Sequence, residues 1–358
     1  MKTAENQKTY QIAVIGGDGI GPEITVEAVK VLEAVAKRLS CQFIFKHLLA
    51  GGEAWDKFGK HLPEETVAVC QQSQAILFGA VGGPVEEATK EKWAGVERNV
   101  ILGLRSEFDL FANIRPIKGE GADFVIVREL TSDIYFGNVK ARHLIKFDEL
   151  SSEETVDVMY YNTSEIERIL EVAFKLAGTR KRQVTLVDKA NVLETSKLWR
   201  RVAERLVMKY PDIQLKYMFV DNAAYQIAKN PDQFDVLVTG NMFGDILSDE
   251  AAVWAKSLGM IPSGSWGGSS FGMYEPAHGS APKHTGLGTA NPLATILSAA
   301  MLLRHSLKLL DGAFMIEQAV EKVLQQGYGT PDLQPEKVVT TKEIGDLVVK
   351  QIIPKGIN

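Results

Sequence analysis

A two-lobed α/β fold is what the sequence predicts, on three observations: short apolar runs that end in glycine-rich turns, helical periodicity following those turns, and polar residues at the carboxyl ends of the runs. Residues 11–15 read as a short buried strand, and residues 16–22 (Gly-Gly-Asp-Gly-Ile-Gly-Pro) as a tight turn into an amphipathic helix bearing Ile24, Val29, Leu32 and Ala36. Pro22 suits the first helical position, where its missing N–H costs nothing. Gly17, Gly19 and Gly21 alternate, so the spacing is not G-x-G-x-x-G and a classical Rossmann fold is not predicted. Residues 75–78 supply another apolar strand, closed by Gly79 to Pro84. A second cycle starts with a helix whose capping box is expected at Ser164 to Glu167, followed by Ile166, Ile169, Leu170, Ala173, Phe174 and Ala177 on one face. The strand at 184–187 ends at Asp188-Lys189, and the strand at 235–238 ends just before an acidic helix. Open α/β sheets bind ligands at such strand ends. Residues 263–272 read as a Gly/Ser-rich loop around Trp266. Residues 276–291 read as a long irregular segment before a helix starting near Pro292; loops longer than about 12 residues are uncommon unless functional, so ligand binding is expected there.

The 358 residues, 45% hydrophobic, can bury two cores. We expect one lobe from residues 1–110 with 257–358 and the other from 111–256, with the active site in a cleft between them. No apolar run approaches the roughly 20 residues that span a bilayer, and the first eight residues lack the apolar core of a secretory leader. A cytoplasmic location without membrane partners is the expectation. Cys41 and Cys70 are too few for a disulfide framework and lack zinc-site spacing. The net charge of −5 is spread without a basic tract, which argues against a nucleic-acid partner.

The acidic helix carries the most informative motif, Gly240-Asn241-Met242-Phe243-Gly244-Asp245-Ile246-Leu247-Ser248-Asp249. At 3.6 residues per turn, Asp245 and Asp249 share a face and can offer oxygens to one hard divalent cation. Alone, the pair reads first as a solvated helix start with acids favoured by the helix dipole; its context reverses that reading. Asp221, after the run ending Phe219-Val220, is a third carboxylate suited to that site. Arg105, Arg115 and Arg128 lie in apolar or turn settings, and three converging guanidinium forks would suit a dicarboxylate; each taken singly also fits a structural ion pair. Tyr135 could donate a proton through its phenol, and Lys189 could act as a base if burial lowered its pKa.

Six motifs appear in order: residues 17–23 (GDGIGPE), 128–131 (RELT), 134–137 (IYFG), 188–191 (DKAN), 244–249 (GDILSD) and 275–282 (EPAHGSAP). Together they resemble the β-decarboxylating dehydrogenases that act on isopropylmalate, isocitrate, homoisocitrate and tartrate, over nearly the whole chain. RELT followed by IYFG resembles the isopropylmalate branch. The resemblance implies an isopropylmalate/isocitrate dehydrogenase-like fold and oxidation of 3-isopropylmalate at its C2 hydroxyl, with hydride passing to NAD and loss of CO2, as in leucine biosynthesis. It implies Mg²⁺ or Mn²⁺ at Asp245 and Asp249, with Asp221 from the partner of a homodimer. Lys189, also from the partner, would take the hydroxyl proton through water, and Tyr135 would protonate the enol carbon. Ile101 and Leu102, before Arg105, would line an apolar pocket for the isopropyl group, completed by Val192 of the partner. Glu275, His278, Gly279, Ala281 and Asn291 would surround the adenosine half of the dinucleotide. An arm at about 138–161 would clasp the dimer partner.

Two positions depart from that pattern. Where NAD-using members carry an acid for the ribose hydroxyls, this chain has Lys283 followed by His284, a cationic pair that would greet a 2′-phosphate; NAD with weakened discrimination against NADP is expected. A Tyr with an Arg four residues on, the second phosphate-binding element, is absent from residues 330–335. The connection from Arg115 to Arg128 is also shorter than usual for the isopropylmalate branch, which leaves a sibling dehydrogenase as the alternative. A Mg²⁺-dependent phosphoryl-transfer enzyme would need G-x-x-x-x-G-K-[ST], which is missing. A non-catalytic binding protein on the same fold is disfavoured by Tyr135, Lys189 and the three aspartates.

Overall fold

The computed structural model describes residues 8–144 and 153–353. Two compact units form, residues 1–108 with 256–358 and residues 109–255. The first opens with β1 (Thr9–Gly17), α1 (Gly21–Leu39), β2 (Gln42–Leu48), α2 (Gly52–Phe58), α3 (Glu64–Gln71), β3 (Ala75–Ala80) and α4 (Gly103–Glu107). The second contains β4 (Ala112–Gly119), β5 (Ala122–Glu129), α5 (Ile134–Lys140), α6 (Thr163–Gly178), β6 (Gln183–Asp188), α7 (Glu194–Val207), β7 (Gln214–Phe219), α8 (Val220–Lys229), β8 (Val236–Thr239) and α9 (Asn241–Ala251). The chain then returns to the first unit through β9 (Pro262–Trp266), β10 (Gly272–Pro276), α10 (Leu293–His305), α11 (Leu310–Gln325), β11 (Tyr328–Gly329), β12 (Lys337–Val338) and α12 (Thr341–Ile352). Among the described residues no helix is long and apolar enough to cross a membrane.

Strands of the first unit lie in the order β2-β1-β3-β10-β9, parallel except for the antiparallel β9–β10 pair. β3 is buried at every residue, as expected for a strand covered on both faces. One core cluster joins Val31, Leu32 and Val35 of α1 to Leu77, Leu303, Ile316 and Val348. The expected glycine turn is a close backbone crossing. Gly19 adopts φ +59°, and a Cβ there would sit 1.9 Å from the Ser280 carbonyl oxygen, which accepts a hydrogen bond from Ile20 N at 2.8 Å.

The Gly/Ser-rich segment differs from its expectation as a loop. Most of it is hairpin, with Gly272 paired to Trp266, so that only residues 267–271 connect the strands. Composition misled because small residues are what the packing requires. Ser263 and Ser265 are fully buried, Ser263 N donates to Ser298 Oγ on α10 at 3.2 Å, and a Cβ on Gly264 would press the Met301 methyl at 3.0 Å.

In the second unit the order is β4-β5-β8-β6-β7, parallel apart from the β4–β5 hairpin. The short link between Arg115 and Arg128 is this hairpin, closed through Gly121 at φ +76°. All six apolar positions expected on the face of α6 are buried. Its capping box, however, lies two residues earlier than expected. Asn162 Oδ1 accepts from Glu165 N at 3.0 Å and Glu165 Oε2 accepts from Asn162 N at 3.1 Å. Ser164 donates to Asn162 Oδ1 instead. Asparagine adopts the extended capping geometry as well as serine does, so the S-x-x-E spelling two residues further on is a decoy.

β5 ends in Glu129, fully enclosed, whose carboxylate accepts from Thr131 N and Thr131 Oγ1. Burial pushes its pKa from 4.5 up to about 7, against the opposing pull of those bonds and of Arg168. The folded chain therefore holds this proton more tightly than the unfolded chain. Stability contributed here falls as pH rises from about 4.5 to about 7 and is level above. Glu129→Gln should flatten that part of the pH dependence of the urea midpoint. Asn162→Ala should cost about 1 kcal/mol in the same measurement, and Ser164→Ala distinctly less.

Candidate active site

The β4–β5 register builds the floor of the site. Asn113 pairs with Arg128 and Arg115 with Ile126. Directly opposed residues share a face, as do residues two apart, so Arg115 and Arg128 point to the same side of the hairpin. α9 packs over that side. Its residues Asn241, Asp245, Ser248 and Asp249, spaced i, i+4, i+7 and i+8, form the polar stripe that receives the two guanidinium groups. Arg128 donates from Nε to Asn241 Oδ1 at 3.0 Å and from Nη1 to Asp245 Oδ1 at 2.5 Å. Arg115 Nη1 donates to Ser248 Oγ at 2.5 Å and to Asp245 Oδ1 at 3.4 Å, and lies 3.8 Å from Asp249 Oδ1. Tyr135, in the first turn of α5, donates from its hydroxyl to Asp245 Oδ2 at 3.0 Å. The cations are buried, with 1% of the Arg128 side chain and 5% of Arg115 exposed, while Asp245 is 37% and Asp249 57% exposed. The close approach depends on Gly244, where a Cβ would stand 2.7 Å from Arg128 Cγ.

Partial desolvation holds Asp249 above the ordinary carboxylate range; Arg115 pulls it down and neighbouring Asp245 pushes it up. The crowding of two carboxylates one turn apart is an arrangement that a divalent cation relieves.

Lys189 and Asp221 form a second group. Lys189 Nζ makes an ion pair with Asp221 Oδ1, and this hydrogen bond holds Asp221 below the usual carboxylate range. Lys189 is placed by its neighbour: Asp188 accepts two bonds from Arg200, at 2.7 and 2.9 Å, and one from Ala190 N at 2.9 Å. Val192, two residues on, is exposed. Among the described residues no group of three or more His, Cys, Asp or Glu side chains is placed to hold a metal. One chain therefore does not gather Asp221 with Asp245 and Asp249.

The remaining candidates belong to the first unit. Ile101 and Leu102 end a π-helical turn at Arg98–Leu102 that runs into α4, and both are half-buried. Arg105 Nη2 lies 3.4 Å from Glu275 Oε1, with both side chains over 90% buried. Thus a residue expected at the substrate and one expected at the cofactor are partners. His278 Nδ1 faces the Gly279 carbonyl oxygen at 2.9 Å, its Nε2 is buried without a hydrogen-bond partner, and burial lowers its pKa. Gly279 is open, with nothing within 4 Å of a Cβ position. Ala281 takes the left-handed conformation, φ 40°, and turns the chain into a single 3₁₀ turn, Pro282–His284. Lys283 is 86% exposed and 3.9 Å from Glu86. Asn291 donates to Asp332 Oδ2 and accepts from Leu293 N, capping α10.

Three residues that serve these groups were missed in the sequence. Asn241 and Ser248 are legible in hindsight as members of the same helical stripe as Asp245. Asp18, buried in the glycine turn, accepts from Gly52 N at 2.8 Å and Gly82 N at 3.1 Å and so ties three loops together; its burial raises its pKa against those bonds.

The sequence profile described as isocitrate/isopropylmalate dehydrogenase matches residues 11–348. The 3-isopropylmalate dehydrogenase of Heyndrickxia coagulans is 48% identical over 364 residues, covering 96% of each chain. That of Zymomonas mobilis is 48% identical, covering 95% of this chain and 99% of its own. Among solved structures, isocitrate dehydrogenase from Methylococcus capsulatus superposes with a TM-score of 0.84 at 35% identity, covering 96% of this chain and 99% of its own. The β-decarboxylating dehydrogenase of Thermococcus kodakarensis gives 0.78 at 34% identity, with 96% of each covered. With sequence and structure matched over nearly its full length, the chain belongs to the isocitrate/isopropylmalate dehydrogenase family.

Proposed function

We propose that the chain catalyses the metal-dependent oxidative decarboxylation of (2R,3S)-3-isopropylmalate to 4-methyl-2-oxopentanoate and CO2 with reduction of NAD, a step of leucine biosynthesis. The observation that carries this reading is the convergence of Arg115, Arg128 and Tyr135 on Asp245, supported by relatives named 3-isopropylmalate dehydrogenase at 44–48% identity. Two buried guanidinium groups already paired with a carboxylate have the chemistry to take a substrate carboxylate.

Asp245 and Asp249 fit a hard cation, since both offer oxygens from one helix face and crowd one another. Mg²⁺ or Mn²⁺ would be held by these two together with Asp221 from the partner subunit. When bound, the cation supplies Lewis acidity toward the negative charge developing on the C2 oxygen, and the nicotinamide supplies the hydride acceptor. Arg105, Arg115 and Arg128 hold the two carboxylates. Lys189 from the partner takes the C2 hydroxyl proton through water as hydride leaves C2. The bond from C3 to its carboxylate then breaks, CO2 departs, and Tyr135 gives a proton to C3. Ile101 and Leu102, with Val192 from the partner, receive the isopropyl group; a third carboxylate, as on isocitrate, would lose hydration against them without gaining a hydrogen bond.

Because Lys189 and Asp221 act across subunits in this reading, the working form is a C2 homodimer. The arm at about 138–161 would clasp the partner; residues 145–152 of it lie outside the described residues. Glu275, His278, Gly279, Ala281 and Asn291 accept the adenosine half of NAD, and Lys283 and His284, in place of an acid, admit NADP as well.

Purified protein with Mg²⁺ or Mn²⁺ should reduce NAD with 3-isopropylmalate and turn over isocitrate far more slowly; the reverse order would transfer the assignment to a sibling enzyme. Asp249→Asn should lower kcat/KM by on the order of 100-fold without change in circular dichroism. Steady-state kinetics with both dinucleotides should show less than about a hundredfold preference for either, and Lys283→Asp should shift the ratio toward NAD by about tenfold, the effect of 1.4 kcal/mol.

A further inference from the structure

The turn between β5 and α5 holds a residue in backbone territory normally reserved for glycine. Asp133 has φ 69° and ψ −160°, a combination that a side chain strains and that persists only where the surroundings enforce it. Such residues gather where geometry matters for function. Asp133 is 1% exposed and the preceding Ser132 is fully buried.

The carboxylate shows what enforces the strain. Asp133 Oδ1 accepts from Ile134 N at 2.8 Å, capping α5. Asp133 Oδ2 accepts from Met242 N at 3.2 Å, one of the free amides in the first turn of α9, and from the Tyr161 hydroxyl at 3.0 Å. Tyr161 in turn accepts from Asn241 N at 2.9 Å. Both helix N-termini favour negative charge. One buried carboxylate thus caps two helices at once. α5 carries Tyr135, two residues beyond Asp133, and α9 carries Asp245, the acceptor of the Tyr135 hydroxyl. The backbone of the turn adds two further ties: Asp133 N donates to Tyr160 O at 3.1 Å, and Asn241 Nδ2 donates to Ser132 O at 3.2 Å.

We infer that Asp133 is a positioning residue for the proton-donating step: by capping α5 and α9 together, it fixes the Tyr135 phenol relative to the Asp245 carboxylate. This rests on the assignment of Tyr135 as proton donor. Asp133 touches no reacting atom in this role. Its contribution is the distance between two groups on different helices, where an error of about 1 Å can cost on the order of 100-fold in rate.

Asp133→Gly relieves the backbone and removes both caps. Assayed as the purified full chain with Mg²⁺, NAD and 3-isopropylmalate, well below its own unfolding midpoint, it should lose at least about tenfold in kcat while KM changes less than about threefold. In a Tyr135→Phe background the same change should cost less than about twofold, because the group being positioned is gone. If Asp133→Gly fails to fold, Asp133→Asn, which keeps the cap on Ile134 N but trades one acceptor oxygen, carries the same cycle with smaller losses. An unchanged kcat in an active wild-type background, or losses that multiply between positions 133 and 135, would overturn the inference and leave the proposed reaction standing. No turnover of 3-isopropylmalate by the wild type would remove both.

Discussion

The burial of two guanidinium groups beneath a single helix is the constraint around which the second unit is organised. Arg128, with 1% of its side chain exposed, cannot shed its charge and is costly to leave unpaired in the interior. Its side-chain hydrogen bonds go to Asn241 and Asp245 of α9, so the helix and the β4–β5 hairpin are locked by electrostatics as well as by apolar contact, and its guanidinium also lies over the Tyr135 ring of α5. Asp245 therefore has two duties. It neutralises a buried cation with one oxygen and presents the other to the Tyr135 phenol. A substrate carboxylate entering this site would compete with Asp245 for the arginines, and a cation would compete with the arginines for Asp245. The two incoming charges are of opposite sign, so each would find an oppositely charged partner already in place.

The first unit solves a different problem, holding loops together at the ends of a parallel sheet. Backbone contacts do much of this work, with Gly17 and Gly19 leaving room for the carbonyl oxygens of Ala80 and Ser280. Asp18 adds a buried carboxylate across two glycine amides. These ties at the strand ends give the segment from Ala277 to Asn291, which follows β10 and lacks regular structure apart from one 3₁₀ turn, a fixed base.

What could be read from the sequence was whatever has a period or a punctuation mark. The strands at 11–15, 75–78, 184–187 and 235–238 and the apolar faces of α1 and α6 were visible because burial imposes spacing. The acidic pair on α9 was visible because 3.6-residue geometry needs no tertiary information. Less accessible was anything set by contact across the chain. Ser263 and Ser265 read as loop residues, yet they are small because α10 lies against them. Asn162 and Ser164 both spell an acceptable cap, each with a glutamate three residues on, and only packing chooses Asn162. The pairing of Arg105 with Glu275 joins residues 170 positions apart, beyond the reach of local pattern. Asp221 and Lys189, 32 positions apart, are an ion pair, and one chain does not gather them with Asp245 and Asp249 among the described residues.

Gly244 sits in the middle of α9, where alanine would ordinarily be the better helix former. A side chain there would meet the aliphatic stem of Arg128. What this position demands is thus an emptiness one methyl group wide. Variation at that spot is barred by what is missing, and a search for important residues guided only by chemical reactivity would pass straight over it.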